Sequence, residues 1–313
     1  MRAVVFGGSG FLGSHLCDAL LARDYEVIAV DDLSSSRKKN IAHLADAKSF
    51  KFIQTDISKG LPKLGKPDLI FNLASPASPT AYLSMPIHTL RTGSLGTMHT
   101  LELATQSHSR FVMASTSEIY GDPLQHPQTE SYWGNVNPIG PRSCYDEAKR
   151  FAEALTFAYK REHATNIGII RIFNTYGPRL NPTDGRVVSN FIMAALNSQP
   201  LNIYGDGSQT RSLCYVSDLV DGIIKMGEVD ATGPVNLGNP TEQTISDLAK
   251  KIISLTGSSS KVVYLPALDD DPQRRKPAIS LANKLLNWHP HTTLDKGLQL
   301  TINWMASAEH KNS

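Results

Sequence analysis

The chain has 313 residues, with 31 Lys and Arg against 29 Asp and Glu and a formal net charge of +2, so it sets up no long-range field for nucleic acid or an anionic membrane. Cys17, Cys144 and Cys214 are too few and too widely spaced for a disulfide framework or a CxxC metal site, and read as reduced thiols, Cys144 as a small packing residue beside Tyr145. No apolar run reaches the length of a membrane span, and glycines interrupt the first ten residues where a signal peptide needs an unbroken apolar core, so a soluble, cytoplasmic protein is expected.

Arg2 to Phe6 is a short apolar run ending in glycines, and Phe11 to Arg23 then repeats apolar residues with helical period, which predicts strand, turn, helix. Further strands are expected at Val27 to Val30, Phe50 to Gln54, Leu69 to Leu73, Phe111 to Ala114 and Ile167 to Ile172, with helices at His88 to Gln106 and Tyr145 to His163. Alternating strands and helices imply a parallel sheet covered on both faces. The expected fold is therefore α/β, a doubly wound Rossmann-type parallel sheet with a smaller C-terminal substrate lobe. Beyond about residue 174 the chain becomes rich in Gly, Pro and Asn, which places the boundary between residues 1–173 and 174–313, with part of 212–240 returning to the first unit. Ser34 to Lys39 reads as a solvated loop with a charged edge. His289-Pro290-His291 is the one close histidine pair; both rings are read as solvated and no metal is assigned.

The segment from Gly7 to Gly13, GGSGFLG, contains GxxGxxG between a strand and a helix. Glycine is required where the backbone turns tightly and approaches a pyrophosphate, and the following helix offers free N–H groups and the positive end of its dipole. Asp31 ends the second strand, where a carboxylate accepts bonds from both adenosine-ribose hydroxyls and repels a 2′-phosphate, which favours NAD over NADP. Arg37 and Lys38 are the reservation, since basic residues there suit a 2′-phosphate. Asp56, after the third strand, is read either as an adenine-side contact or as a loop cap.

Tyr145 and Lys149 stand one helical turn apart and share a helix face. A phenol with a reference pKa of about 10 is a poor base at neutral pH unless a cation favours the phenolate, and Lys149 is placed to supply one. Such a pair beside a dinucleotide loop points to oxidation of a sugar alcohol.

The succession GxxGxxG, then Thr-Ser-Glu-x-Tyr-Gly from Thr116, then Tyr-x-x-x-Lys resembles that of extended short-chain dehydrogenases/reductases acting on nucleotide sugars. Leu73 to Pro79, Ala114 to Pro123, Tyr132 to Arg150, Arg171 to Arg179, Asp184 to Ile192, Tyr204 to Arg211 and Asp270 to Pro277 resemble the UDP-glucuronic acid decarboxylase (UDP-xylose synthase) branch. The resemblance implies NAD held by Gly7, Gly10, Phe11, Leu12 and Gly13 at the pyrophosphate and by Asp31 and Asp32 at the ribose. It puts Asp56 and Ile57 near the adenine and Leu73, Ser75, Tyr145 and Lys149 along the cleft. It implies a reacting cluster of Thr116, Glu118, Tyr145, Lys149 and Arg275, and a UDP-sugar side of Asn174, Arg186, Val187, Tyr204, Arg211 and Arg275. Glu118 either orients water or the sugar, or is a buried acid paired with a neighbouring donor. Arg275 binds the carboxylate or delivers a proton through water, with Arg274 a surface neighbour, and Arg211 clamps a phosphate or forms a surface ion pair.

The implied reaction is redox-neutral conversion of UDP-glucuronate to UDP-xylose through a UDP-4-keto sugar. Related 4,6-dehydratases carry aspartate where this chain has Ser117. A UDP-sugar 4-epimerase, a decarboxylase that releases the 4-keto pentose, and a non-catalytic NAD-binding protein remain as alternatives. The chain departs from the family at Gly93, where asparagine is usual and where close packing against the cofactor is the expected compensation. Further departures are His99, Thr105 and Gln106, and Ser9 in place of alanine. A homodimer is expected through the helices carrying Thr97 and Tyr145, since Ala148, Phe151, Ala152, Leu155 and Tyr159 form a broad apolar stripe; a single buried helix explains the stripe as well.

Overall fold

The computed structural model describes residues 1–266 and 275–309, so Arg274 and most of the segment from Asp270 to Pro277 lie outside the described residues. In chain order the first half runs β1 (Arg2–Phe6), α1 (Phe11–Leu21), β2 (Glu26–Asp31), β3 (Phe50–Gln54), β4 (Leu69–Asn72), α2 (Pro79–Ser84), α3 (Pro86–Arg91), α4 (Thr97–Ser107), β5 (Arg110–Thr116), α5 (Ser143–His163) and β6 (Ile167–Ile172). The rest adds β7 (Thr175–Tyr176), α6 (Val187–Leu196), β8 (Leu201–Tyr204), β9 (Thr210–Ser212), β10 (Cys214–Tyr215), α7 (Val216–Glu228), β11 (Val235–Leu237), β12 (Glu242–Thr244), α8 (Ile245–Thr256), β13 (Val262–Leu265), α9 (Ser280–Leu286) and α10 (Leu294–Glu309). No helix among the described residues is long and apolar enough to cross a membrane.

Seven strands form one parallel sheet in the order β11-β6-β5-β4-β1-β2-β3. Period-2 alternation sends successive side chains to opposite faces. Ala3 and Val5 of β1 join Leu16 and Leu20 of α1 and Ile223 of α7 in one core. Val4 and Phe6 join Leu101 and Ala104 of α4 and Ala152 of α5 in the other. The strand order reverses between β1 and β4, so the loops that leave their carboxyl ends part and open a crevice, the usual ligand position in such sheets.

The chain leaves this sheet after β6, builds small pairs (β8 with β13, β9 with β12, β7 with β10), and returns as α7 and β11 before leaving again. Buried Arg110 fastens the return. Its guanidinium donates to Ile167 O at 2.7 Å on β6, to Met226 O at 2.9 Å on α7, and to Ala231 O at 2.6 Å just beyond.

The helix expected from His88 to Gln106 is interrupted. α3 ends at Arg91, Thr92–Gly96 widens into a π-helical turn, and α4 resumes at Thr97. Gly93 is the reason on one side: an added Cβ would lie 2.7 Å from the Ala148 Cβ and 3.1 Å from its carbonyl oxygen. Gly96 faces Ile57 in the same way, at 2.8 Å. The compensation for glycine at position 93 is therefore close contact with α5, and not with a cofactor as the sequence suggested. Each glycine costs a helix about 1 kcal/mol relative to alanine, and the approach of α5 and of the Ile57 turn offsets it.

Candidate active site

One cavity of about 760 Å³ runs from the glycine loop, through the crevice at the sheet's switch point, to the small strand pairs. Its cofactor end is shaped by backbone. Gly7, directly after β1, has φ of +78° and lies so close to the chain leaving β4 that a Cβ would stand 2.9 Å from the Leu73 carbonyl carbon. Gly13 in the first turn of α1 meets the Gly7 carbonyl oxygen at 2.0 Å if given a Cβ. Gly10 caps α1 without a side-chain bond, leaving the helix's first amides to a ligand. Gly10, Phe11 and Leu12 line the same wall.

Asp31 closes the far side. Its carboxylate accepts from Ser9 N at 3.1 Å, from Leu33 N at 2.9 Å and from the Ser36 hydroxyl at 2.6 Å. Ser34, Ser35 and Ser36 thus belong to the cavity wall, which the reading of 34–39 as a solvated loop missed, and Lys38 opens a 3-10 helix, Lys38–Leu44. The Arg37 guanidinium donates to the Asn181 side chain across the cleft. Lys38 Nζ lies 5.7 Å from the centre of the Phe52 ring. Asp56 is the loop cap, holding the Ile57–Lys59 turn through Ser58 N at 3.0 Å, and it also lines the cavity with Ile57. His88, which the sequence offered only as a helix start, also lines it, with Nε2 2.9 Å from Asp32 Oδ2. Asp32, Asp56 and His88 form the one cluster with metal-ligand spacing among the described residues, and it lies inside the cofactor end. The glycine cradle, the open helix terminus and the carboxylate at the end of β2 fit a dinucleotide. His289 and His291 are both exposed, their rings 4.2 Å apart.

Thr116 ends β5, and Ser117–Tyr120 coil into a 3-10 turn whose Glu118 N–H donates to the Thr116 hydroxyl at 3.2 Å, so Thr116, Ser117 and Glu118 all reach the cavity. Tyr145 and Lys149 enter from the first turns of α5. Lys149 Nζ donates to Ala114 O at 2.9 Å and lies 6.0 Å from the centre of the Tyr145 ring. Burial pushes the Tyr145 phenol up to about 12, with the neighbouring Thr116 hydroxyl pulling the other way. Burial also pushes Lys149 down to about 8, opposed by Glu153. Burial is the largest influence on both groups of the pair, and the Thr116 hydroxyl is what draws the phenol back toward its ordinary range. Tyr82 of α2 lies flat on Tyr145, and Cys144 Sγ donates to Tyr82 O at 3.6 Å, a packing role.

Glu118 is gripped from two sides. One oxygen accepts from Arg275 and the other from Arg142, three residues before Tyr145. Burial alone raises a carboxyl, but these two guanidiniums together hold Glu118 below the usual range. Of the two readings of Glu118, the buried, paired acid is what the ligand-free chain presents. Arg142 and Tyr82 were missed in the sequence. Arg142 was within reach, since i and i+3 share a helix face; Tyr82 sits in a segment with no motif.

At the other end, Asn174, Arg186, Val187, Tyr204, Arg211 and Arg275 line the cavity. Arg186 donates to Ala77 O at 2.9 Å and pairs with Asp184 at 3.6 Å, and Arg211 donates to Thr210 O at 2.9 Å. Leu73 and Ser75 line the middle, so every site residue expected from the sequence faces this one space.

A doubly wound sheet with a glycine cradle at its switch point and a Thr-Tyr-Lys cluster beyond it defines a nicotinamide-dependent oxidoreductase-type site. The chain belongs to the NAD-dependent epimerase/dehydratase family, whose family model matches residues 3–238. Its relatives narrow the branch. It is 50% identical over 302 residues to UDP-glucuronic acid decarboxylase 4 of Arabidopsis thaliana, covering 96% of this chain and 68% of that protein. It is 48% identical over 311 residues to UDP-glucuronic acid decarboxylase 1 of Danio rerio, covering 99% and 74%. Among solved structures, UDP-glucose 4-epimerase from Thermotoga maritima superposes with a TM-score of 0.90 at 28% identity, covering 99% of this chain and 100% of that one. UDP-glucuronic acid 4-epimerase from Bacillus cereus, in complex with UDP-glucuronic acid and NAD, gives 0.86 at 28%, covering 98% and 100%.

Proposed function

We propose that this protein is an NAD-dependent UDP-glucuronate decarboxylase that yields UDP-xylose. The observation that carries it is the company Tyr145 keeps: Thr116 and Lys149 for oxidation of a hydroxyl, Ser117 where a dehydratase needs an acid, and the Arg142–Glu118–Arg275 cluster facing the same cavity. Bound NAD supplies the acceptor that takes two electrons from C4 of the sugar and returns them at the end of the cycle.

Tyr145 accepts the C4 hydroxyl proton as C4 becomes a ketone, and the Lys149 ammonium stabilises the phenolate. The C5 carboxylate is then that of a β-keto acid. Its C–C bond breaks, CO₂ leaves, and the bond pair becomes an enolate whose oxygen the Thr116 hydroxyl and the Tyr145 phenol hydrogen-bond. Protonation at C5 and return of the electrons to C4 complete UDP-xylose. A departing carboxylate needs no proton, and Ser117 avoids the like-charge repulsion that aspartate would add. Glu118 holds Arg275 and Arg142 at the sugar end.

Residues 1–173, with the returning α7 and β11, hold the dinucleotide in this reading, through Gly7, Gly10, Phe11, Leu12, Gly13, Asp31, Asp32, Asp56, Ile57, Leu73 and Ser75. Residues 174–313 hold mainly the UDP-sugar, through Asn174, Arg186, Val187, Tyr204 and Arg211. The active form is a homodimer. Ala148 and Ala152 are spent inside the protomer, but Leu83, Ile87, Leu90, Leu95 and Phe151 stay between 38% and 62% exposed on α2, α3, the π turn and α5, which supports a second copy packing there. The test is incubation with UDP-glucuronate and no added nicotinamide, followed by mass analysis. Loss of one CO₂ with xylose as the sugar is expected; an isomer of unchanged mass would make the protein an epimerase instead.

A further inference from the structure

Decarboxylation as written consumes one proton per turnover. The proton that Tyr145 removes from the C4 hydroxyl returns to it on reduction, so the proton that reaches C5 comes from elsewhere. Behind the Glu118, Arg142 and Arg275 wall lies a second cavity, of about 230 Å³, that shares these three residues with the first. It has room for several water molecules at about 30 Å³ each, and its rim includes the exposed Asn135 and Asn137. Asp146 lines it, 7% exposed, with Oδ1 buried and without a hydrogen-bond partner among the described residues. A buried carboxylate oxygen left bare is costly, and a proton on it removes the charge. The charged or titratable groups that act on Asp146 are Glu118, Arg142 and Arg275 across the cavity, Cys144, Tyr145 and Glu147 on its own helix, and Tyr82 on α2.

We propose that Asp146 and this second cavity form the route by which solvent protons reach C5 of the sugar. Asp146 acts through water held at the Arg142–Glu118–Arg275 cluster and does not touch substrate. The Asp146 carboxyl gives up its proton along that route, the enolate pair becomes the new C5–H bond, and the carboxylate is reprotonated from solvent past Asn135 and Asn137. Burial and the nearby Glu118 charge push Asp146 up to about 7, against Arg142 and Arg275, so at neutral pH it both holds and yields a proton.

The inference rests on the decarboxylase reading, and the experiment separates the two. Wild type, Asp146→Asn, Asp146→Glu and Val136→Phe, the last filling the cavity from its rim, are each mixed with UDP-glucuronate while CO₂, reduced nicotinamide and UDP-xylose are followed. Asp146→Asn and Val136→Phe are expected to release CO₂ in the first turnover as wild type does. They then accumulate reduced nicotinamide and form UDP-xylose roughly a hundredfold more slowly, the lower end of what a positioned proton donor contributes. Asp146→Glu restores turnover. Wild-type levels of reduced nicotinamide and of product in Val136→Phe, or in folded Asp146→Asn, overturn the route; absence of CO₂ from wild type overturns the decarboxylase reading itself.

Discussion

Tyr82 lies face to face with Tyr145, ring centroids 5.1 Å apart and planes 9° from parallel. The two phenols are not equivalent. Burial raises both, but only Tyr145 has the Thr116 hydroxyl beside it to draw it back, and Tyr82 serves as a platform that fixes the reacting ring.

Tyr145→Phe removes the proton acceptor and leaves the stack. CO₂ release from UDP-glucuronate is expected to fall about 10² to 10⁴-fold, with NAD binding by calorimetry unchanged. Tyr82→Leu keeps the acceptor but loses the stacking, worth about 0.5–1.5 kcal/mol, so thermal stability drops modestly and turnover falls less than in Tyr145→Phe.

Gly13→Ala puts a methyl 2.0 Å from the Gly7 carbonyl oxygen, a backbone atom that cannot swing aside. NAD binding is expected to be lost, which denatured-protein extracts assayed for nucleotide and titration with NAD will check. Retained affinity would mean that the pyrophosphate lies elsewhere.

At position 93 the missing asparagine can be restored only against Ala148, whose Cβ would stand 2.7 Å from the new one. Overpacking of this kind costs about 1–3 kcal/mol. Gly93→Asn should therefore lower the melting temperature, and adding Ala148→Gly, which removes one of the contacting atoms, should recover part of the loss.

Asp146 gives a stability signature. Its carboxyl sits at about 7 in the folded chain against an ordinary 3.8, because of burial first and the Glu118 charge second. Between those values the folded state binds a proton that the unfolded state lacks, so this group's contribution is complete below about pH 4 and is lost as pH rises through 7. Asp146→Asn is expected to melt higher than wild type at pH 8, with the difference closing toward pH 4.

Legibility in the sequence followed physical range. β1 and β6 were readable to the residue because a strand buried on both faces is a continuous apolar run, and β3, the half-exposed edge strand, from its Phe50 and Phe52. The glycine loop and the Tyr145–Lys149 pair were readable because their chemistry is local. The break in the helix before β5 was not, since it depends on what Gly93 and Gly96 touch far along the chain. The grip of Arg142 and Arg275 on Glu118 joins residues 24 and 157 positions apart, and no spacing rule reaches the second. The burial of the Tyr145 phenol was not legible for the same reason: charge attraction is visible in a motif, whereas desolvation belongs to the folded surroundings.

The return of the chain to lay β11 beside β6 has a consequence for how the molecule can be cut or recombined. A fragment ending at residue 173 would leave Ile170 and its neighbours as a bare hydrophobic margin and would strip Arg110 of the carbonyl oxygens of Met226 and Ala231. The part of the chain beyond residue 173 is therefore not a cassette. Exchange with a relative has to carry both passes of the polypeptide, and melting should register as one cooperative event.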